Sequence, residues 1–338
     1  MAKYHIAVLP GDGVGKDAMD AAMKVLEHIS IDAEYIPGDV GWEFWKKEGN
    51  PLLERTIELL RETDCCLFGA ITSKPSEDAQ KELTPELQGK GLTYSSPIVR
   101  IRQKFNLHTN MRPCKAFKGN PLNYRDDIDL VVFRENTEGL YVSVEFHPVP
   151  DEVRKALLHK KMMRFKDVSS QEMAVSCRVF TKKTCQRIVR NAFEYAKKYG
   201  RRNVTVVEKP NVIRMTSGMM IKEARRIAEE YPEIEYREVN ADAMCMWFIK
   251  NPQDHDVLVS SNMFGDIISD LAAQLVGGLG FASSGNIGEN YALFEPTHGS
   301  APKYAGQYKG NSMAMLLSVK LMLDWLREKD GLKGLRTQ

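Results

Sequence analysis

Short apolar runs alternate with longer amphipathic ones along this chain. Residues 5–9, 65–70, 129–133, 204–207 and 256–260 are rich in Val, Leu, Ile and other apolar side chains and read as buried strands, with 234–239 as another. Between them, 14–30, 51–61, 182–199, 213–230, 263–276 and 311–327 place apolar residues at helical spacing. Such alternation predicts βαβ units and a largely parallel sheet, an α/β fold. One region breaks the rhythm. Residues 140–146 and 173–179 read as strands, but a polar, irregular segment separates them. This pattern predicts a protruding β element suited to an oligomer contact.

The chain has 338 residues. At about 150 residues per domain that suggests two domains. No linker or repeat separates them, so they are expected to interleave in sequence. Hydrophobic residues are 43% and charged residues 27%, near globular averages. Mean hydropathy is −0.36, and no run of 18 apolar residues occurs, so no membrane span is expected. The apolar run at the N-terminus is short and enters a glycine turn, which predicts a first strand rather than a signal peptide. Net charge is +2 with both signs mixed; the one basic run, 159–166, reads as a solvated face and not a nucleic-acid stripe. The six cysteines include no CxxC pair, which predicts reduced thiols in a cytoplasmic setting.

Ligands of open α/β sheets bind beyond the carboxyl ends of the strands. Three predicted strands end in polar groups there: Arg134 to Glu138 followed by Tyr141, then Glu208 to Asn211, then Ser261 to Asp266 with Asp270 beyond. Asp266 and Asp270 are four residues apart, so on a helix their carboxylates share a face. That pair suits a hard divalent cation, although Asp266 could equally cap the helix; spacing does not separate the two. Asp242, after the strand 234–239, is a candidate third carboxylate. Arg102, Arg112 and Arg134 lie around two consecutive strand ends. Singly each reads as a surface ion pair; together they suit a substrate with two or three carboxylates, because guanidinium forks match carboxylates. Ser96 precedes Pro97 at an expected helix start and could donate to an anion there. The glycines of PGDGVG at 10–15 do not have the G-x-G-x-x-G spacing. A second glycine-rich stretch, 277–304, reads as a long loop presenting His298 and Lys303 to a ligand.

Taken together, PGDGVG (10–15), RIRQKFNLHTNMRP (100–113), FRENTEGLY (133–141), EKPNV (208–212), NADAM (240–244), NMFGDIISD (262–270) and FEPTHGSAPKYAG (294–306) resemble the β-decarboxylating dehydrogenases of the isocitrate/isopropylmalate group. The resemblance implies that family's doubly wound α/β fold, which is not a Rossmann fold. It implies a large domain of 1–107 and 278–338, a small domain of 108–277, and a dimer clasp at about 140–180. Arg102, Arg112, Arg134 and Ser96 would hold the substrate, Asp242, Asp266 and Asp270 would bind Mg²⁺ or Mn²⁺, and Tyr141 and Lys209 would move protons. In a homodimer with shared sites, Lys209 and Asp242 would come from the partner. Thr72, Asn211, Glu295, His298, Gly299, Ala301, Lys303, Tyr304 and Asn311 would contact the nicotinamide cofactor. Lys303 and Tyr304 stand where NAD-type members carry Asp and Ile, which favours NADP, with NAD the alternative. Family members usually continue beyond the position of Gln338. Ser96 points to isocitrate, converted to 2-oxoglutarate; Ser95–Val99 and Ile98 keep homoisocitrate or a 3-isopropylmalate-type substrate as runner-up. A catalytically silent regulatory subunit of the same family is the third possibility, although the tyrosine, lysine and aspartates are all present.

Overall fold

The structure is a computed structural model and describes residues 2–159, 163–307 and 309–329. Residues 160–162, inside the expected clasp and the basic run, and 330–338, the end of the expected large domain, lie outside the described residues. The strands are β1 (Tyr4–Leu9), β2 (Ala33–Pro37), β3 (Cys65–Phe68), β4 (Thr109–Lys115), β5 (Asp129–Glu135), β6 (Glu145–Phe146), β7 (Val175–Ser176), β8 (Asn203–Glu208), β9 (Glu235–Asn240), β10 (Val257–Ser260), β11 (Ser283–Ile287) and β12 (Ala292–Pro296). The helices are α1 (Val14–Ile29), α2 (Trp42–Glu48), α3 (Glu54–Glu62), α4 (Ser76–Lys81), α5 (Pro97–Lys104), α6 (Asp151–His159), α7 (Lys182–Lys198), α8 (Thr216–Ala228), α9 (Ala241–Lys250), α10 (Asn262–Leu275) and α11 (Met313–Lys329).

Ten strands form one sheet in the order β2-β1-β3-β12-β11-β4-β5-β10-β8-β9. The sheet is parallel at both ends, but β12–β11, β11–β4 and β4–β5 are antiparallel. The two parallel groups therefore run in opposite directions across a three-step seam. That seam corrects two expectations. The stretch 277–304 is not a long loop, because it contains β11 and β12. Arg102 and Arg112 do not lie at strand ends; Arg102 is on α5 and Arg112 is inside β4. The segments 140–146 and 173–179 pair over only two residues, Glu145↔Ser176 and Phe146↔Val175, and Leu140–Val142 is a 3₁₀ turn. Both segments are largely apolar, yet Tyr141, Val144 and Val179 stay exposed rather than packed under a longer ribbon.

Helices cover both faces, as buried parallel strands require. On one face α1 and α11 pack on β1, β3 and β12, and α7 and α8 on β5, β8 and β10. On the other, α3 and α5 cover the first group, and α9 and α10 the second. Helix α7 shows why these segments are helical: Cys185, Ile188, Val189, Ala192, Phe193 and Ala196 form one buried stripe, and the Thr181 hydroxyl caps its start by accepting from the Thr184 amide at 3.3 Å.

The 10–15 turn is a packing device. Gly11 has φ +74°, and a Cβ there would sit 2.2 Å from the Ala70 carbonyl oxygen. Gly89 has the same φ of +74° with nothing within 4 Å. Gly89→Ala is expected to cost about 1 kcal/mol from left-handed backbone strain, and Gly11→Ala about 2 kcal/mol more from the clash. Thermal unfolding of the two variants checks this; equal midpoints would refute the close approach.

Candidate active site

Strands β5, β10 and β8 are adjacent and parallel, so Arg134, Ser261 and Lys209 emerge at one sheet edge, as expected. Beside them, across the seam, runs a continuous buried polar chain. Arg102 Nη2 donates to Glu295 Oε1 at 2.9 Å. Glu295 Oε1 also accepts from Asn286 Nδ2 at 2.8 Å. Asn286 Oδ1 accepts from Asn110 Nδ2 at 2.7 Å and Asn136 Nδ2 at 2.9 Å. Asn110 Oδ1 accepts from Arg112 Nε at 2.9 Å. Arg112 Nη1 reaches Ser269 Oγ at 2.7 Å, Asp266 Oδ1 at 3.1 Å and Asp270 Oδ1 at 3.2 Å. Arg134 donates to Asn262 Oδ1 from Nε at 2.9 Å and from Nη2 at 2.7 Å, and to Asp266 from Nη1. The three arginines form one cluster, and the reading of each as a surface ion pair is overturned: Arg112 and Arg134 are buried, and the Arg102 side chain is 12% exposed.

The capping alternative for Asp266 also fails. Ser261 is the N-cap of α10, and Asp266 faces Arg112 and Arg134 from inside the helix. Gly265 lets the helix come this close, since a Cβ there would lie 2.8 Å from Arg134 Cβ.

The electrostatics favour a bound anion. Burial pushes the Arg134 guanidinium down to about 9, Arg112 and Arg102 add to the effect, and Asp266 opposes it. Burial pulls the Asp266 carboxyl up, but Arg134, Arg112 and Arg102 outweigh it and hold the group below the ordinary carboxylate range. Asp270 rises, chiefly through burial, against the pull of Arg112. Tyr141 donates from its hydroxyl to Asp266 Oδ2 at 3.3 Å, with the Arg134 guanidinium 5.5 Å from its ring centre. Burial and then the charge of Asp266 push its phenol up, so it stays protonated at neutral pH.

Lys209 and Asp242 form a separate pair, Lys209 Nζ donating to Asp242 Oδ1. Among the described residues no three His, Cys, Asp or Glu side chains are grouped to hold a metal. Asp266 and Asp270 thus offer two hard oxygen donors, one held ionised, which fits part of a divalent-cation site; Asp242 does not complete it within one chain.

The expected cofactor residues divide. The Thr72 hydroxyl is 2.7 Å from Ser300 Oγ, its amide donates to Asp12 at 2.9 Å, and the Val14 amide donates to the Ser300 carbonyl at 2.8 Å. These contacts bring Thr72, the 10–15 turn and 299–304 together. His298 Nε2 is buried with no hydrogen-bond partner, a donor or acceptor open to a ligand. Lys303 and Tyr304 stand on an exposed 3₁₀ turn, the ammonium 4.8 Å from the ring centre. Ala301 is left-handed at φ 35°, and Asn311 packs beside Gly280. Glu295 is buried against Arg102 and Asn286, and Asn211 is exposed on the other group of strands, after β8. Ser96 is the N-cap of α5 with its hydroxyl making no capping bond.

Sequence reading gave no role of their own to Asn110, Asn136, Asn262, Ser269 and Asn286, because single amides and hydroxyls carry no spacing signal. It also missed Arg178. That side chain donates to the fully buried Glu208 at 3.0 Å and to Ser261 Oγ at 2.7 Å, tying the strand-end edge to the end of the 140–179 excursion.

Asp266→Asn is expected to lose about 2 kcal/mol of stability at pH 7, since it leaves two buried cations underpaired at a partly exposed site. The folded carboxyl titrates below the unfolded one, so its contribution is present above about pH 4 and lost as pH falls through the folded value. Melting curves at pH 7 and pH 3 test this; an equal deficit at both would refute the electrostatic cause.

A family model described as Isocitrate/isopropylmalate dehydrogenase matches residues 5–335. The chain is 40% identical over 329 residues to a 3-isopropylmalate dehydrogenase of Methanothermobacter thermautotrophicus, covering 97% of this chain and 87% of that one. It is 36% identical over 331 residues to an isocitrate/homoisocitrate dehydrogenase of Thermus thermophilus, with 98% and 88% covered. Protein DlpA of Legionella pneumophila is 37% identical over 321 residues, 94% of this chain but only 51% of DlpA, so the chain spans about half that relative's length. The crystal structure of isocitrate dehydrogenase from Methylococcus capsulatus superposes with a TM-score of 0.82 at 37% identity, covering 97% of this chain and 87% of that one.

Proposed function

The chain belongs to the isocitrate/isopropylmalate dehydrogenase family, and on that premise we propose that it oxidatively decarboxylates isocitrate to 2-oxoglutarate with reduction of NADP. The observation that carries this reading is the arginine cluster. Three guanidiniums share one buried network, and among the described residues the carboxylates paired with them are Glu295, Asp266 and Asp270. A substrate with several carboxylates suits such a site, and the uncommitted Ser96 hydroxyl at the start of α5 suits the most distant of them. Lys303 and Tyr304 on their exposed turn favour a 2′-phosphate. Relatives named for isopropylmalate and homoisocitrate support a second reading. It rests on Ile98, which packs against the α3/α5 core and offers no polar group.

In the mechanism, Arg102, Arg112, Arg134 and Ser96 bind and orient the carboxylates. Asp266 and Asp270, with Asp242 of the partner subunit, would hold a divalent cation, which would supply Lewis-acid polarisation of the substrate, and a nicotinamide would supply the hydride acceptor. Lys209 of the partner subunit takes the hydroxyl proton. Loss of CO₂ leaves the electron pair of the broken C–C bond as an enolate, and Tyr141 Oη delivers a proton to its carbon, restoring the ketone; its raised pKa keeps that proton available.

Support for a second copy comes from exposed apolar residues. Met215 is 82% exposed, and Met246, Ile249 and Ile267 are each about half exposed. They stand on or beside α8, α9 and α10, a concentration of surface that marks protein contacts. The separateness of Lys209 and Asp242 from Asp266 fits a site shared between two chains, with 140–180 as clasp and a domain boundary near 107 and 278. All six cysteines are free, which suits a reducing, cytoplasmic setting.

Absorbance at 340 nm with Mg²⁺ is expected to rise fastest with isocitrate and NADP⁺. Tyr141→Phe is expected to cut turnover about 100-fold or more while leaving isocitrate binding intact. Faster turnover of homoisocitrate or 3-isopropylmalate would overturn the substrate, faster turnover with NAD⁺ the cofactor, and silence with every pair the enzymatic reading itself.

A further inference from the structure

The stretch 69–75 after β3 has no regular secondary structure, and Thr72 stands in its middle. An amide and a carbonyl there have no ladder or helix to answer them, so other groups must. Two side chains do. The Thr72 amide donates to Asp12 Oδ2 at 2.9 Å, and the Thr72 carbonyl accepts from the Tyr94 hydroxyl at 2.7 Å. Among the described residues neither group meets another backbone group. The peptide is thus gripped from both sides, and the threonine hydroxyl faces Ser300 Oγ at 2.7 Å.

Both gripping groups are themselves fixed, and they share Trp42. Its amide donates to the two oxygens of Asp12, at 2.8 and 3.0 Å, and its ring centre lies 5.1 Å from that of Tyr94. Trp45 meets the Tyr94 ring near a right angle at 5.5 Å. With Ala79 and Leu83 these rings form a small core of their own, apart from the cores that pack the sheet. The indole nitrogens are answered inside it or at its rim: Trp45 Nε1 donates to the Ala79 carbonyl at 2.8 Å and Trp42 Nε1 to Glu82 Oε2 at 2.7 Å. The Tyr94 hydroxyl is the polar tip that reaches 69–75. Burial pushes its phenol up to about 12, against a hydrogen bond from Ser73, so it remains a donor across the neutral range. Asp12 is buried; burial pulls its carboxyl up, and the Thr72 and Trp42 amides oppose this.

We propose that Tyr94 and Asp12 are positioning residues for the nicotinamide cofactor: they hold the Thr72 peptide from either side and so keep its hydroxyl beside Ser300. The inference rests on the proposed use of that cofactor at Thr72 and 298–304. Without the Tyr94 hydroxyl the Thr72 peptide would sample other orientations. Apparent affinity falls with the fraction of molecules in which the binding group is correctly placed.

Binding of NADPH and of NADH to the full chain without substrate, followed by the fluorescence of the nucleotide, tests this. Tyr94→Phe removes one hydroxyl and is expected to weaken the tighter nucleotide about fivefold, the effect of one hydrogen bond. Thr72→Val keeps the peptide and removes its hydroxyl. It is expected to weaken binding to a similar degree, and the double variant no further, because both changes act through one group. Asp12→Asn takes the place of Tyr94→Phe in the same cycle if the latter loses its cooperative melting transition. A purely structural Tyr94 would lower the melting midpoint and leave affinity unchanged, or add its full loss to that of Thr72→Val; either result overturns the inference while the cofactor reading stands. Binding of neither nucleotide by the unmodified chain would overturn that reading and the inference with it.

Discussion

The arrangement around the candidate active site depends on one constraint: two arginines, Arg112 and Arg134, buried in the middle of a sheet. A buried guanidinium is costly unless its donors are met. Here the partners come from different parts of the chain: Asn110 from β4, Asp266, Ser269 and Asp270 from α10, and Asn262 from the start of that helix. Meeting them fixes α10 against β4 and β5 and brings Asp266 beneath Tyr141. The same network continues through Asn286 and Glu295 to Arg102 on α5, and so joins the two strand groups by hydrogen bonds as well as by the sheet.

The seam explains why function collects where it does. Parallel groups of opposite direction place their covering helices on either side of the antiparallel strands between them. On one face the gap is filled by the polar network. On the other, Met111 and Phe133 face the apolar core under α7. Alternation of side chains along β4 separates the two environments by a single residue step, Arg112 on one side and Met111 on the other.

Lys209 and Asp242 answer each other within one chain, while Asp266 and Asp270 answer arginines. The fully buried Glu208 beside Lys209 is held by Arg178, Ser217 and Ser261, so Lys209 leaves the edge from a rigid base. The excursion over 140–179 returns to this same base through Arg178 and through the Gly139–Val179 bridge. Its own two-residue ribbon is too short to hold it in place.

Sequence alone determined the main helices, the buried strands and the edge to which β5, β8 and β10 deliver their polar ends. Those features follow from local periodicity, which records burial on one face or both. It also supplied the arginines, the aspartate pair and the tyrosine, because their residue types limit the chemistry they can serve. Tertiary structure decided the rest. Residues 283–287 looked like loop because Gly, Ser and Asn have low strand propensity, and 292–296 because its short run ends in Glu-Pro; the seam makes them strands by supplying partners for their backbone. Spacing left Asp266 as cap or ligand, and only the fold removed the cap, by starting α10 after Ser261 and bringing Asp266 against Arg134. The amides of Asn110, Asn136 and Asn286 gave no signal at all, since a hydrogen bond between residues 150 or more positions apart exists only after the chain has brought them together.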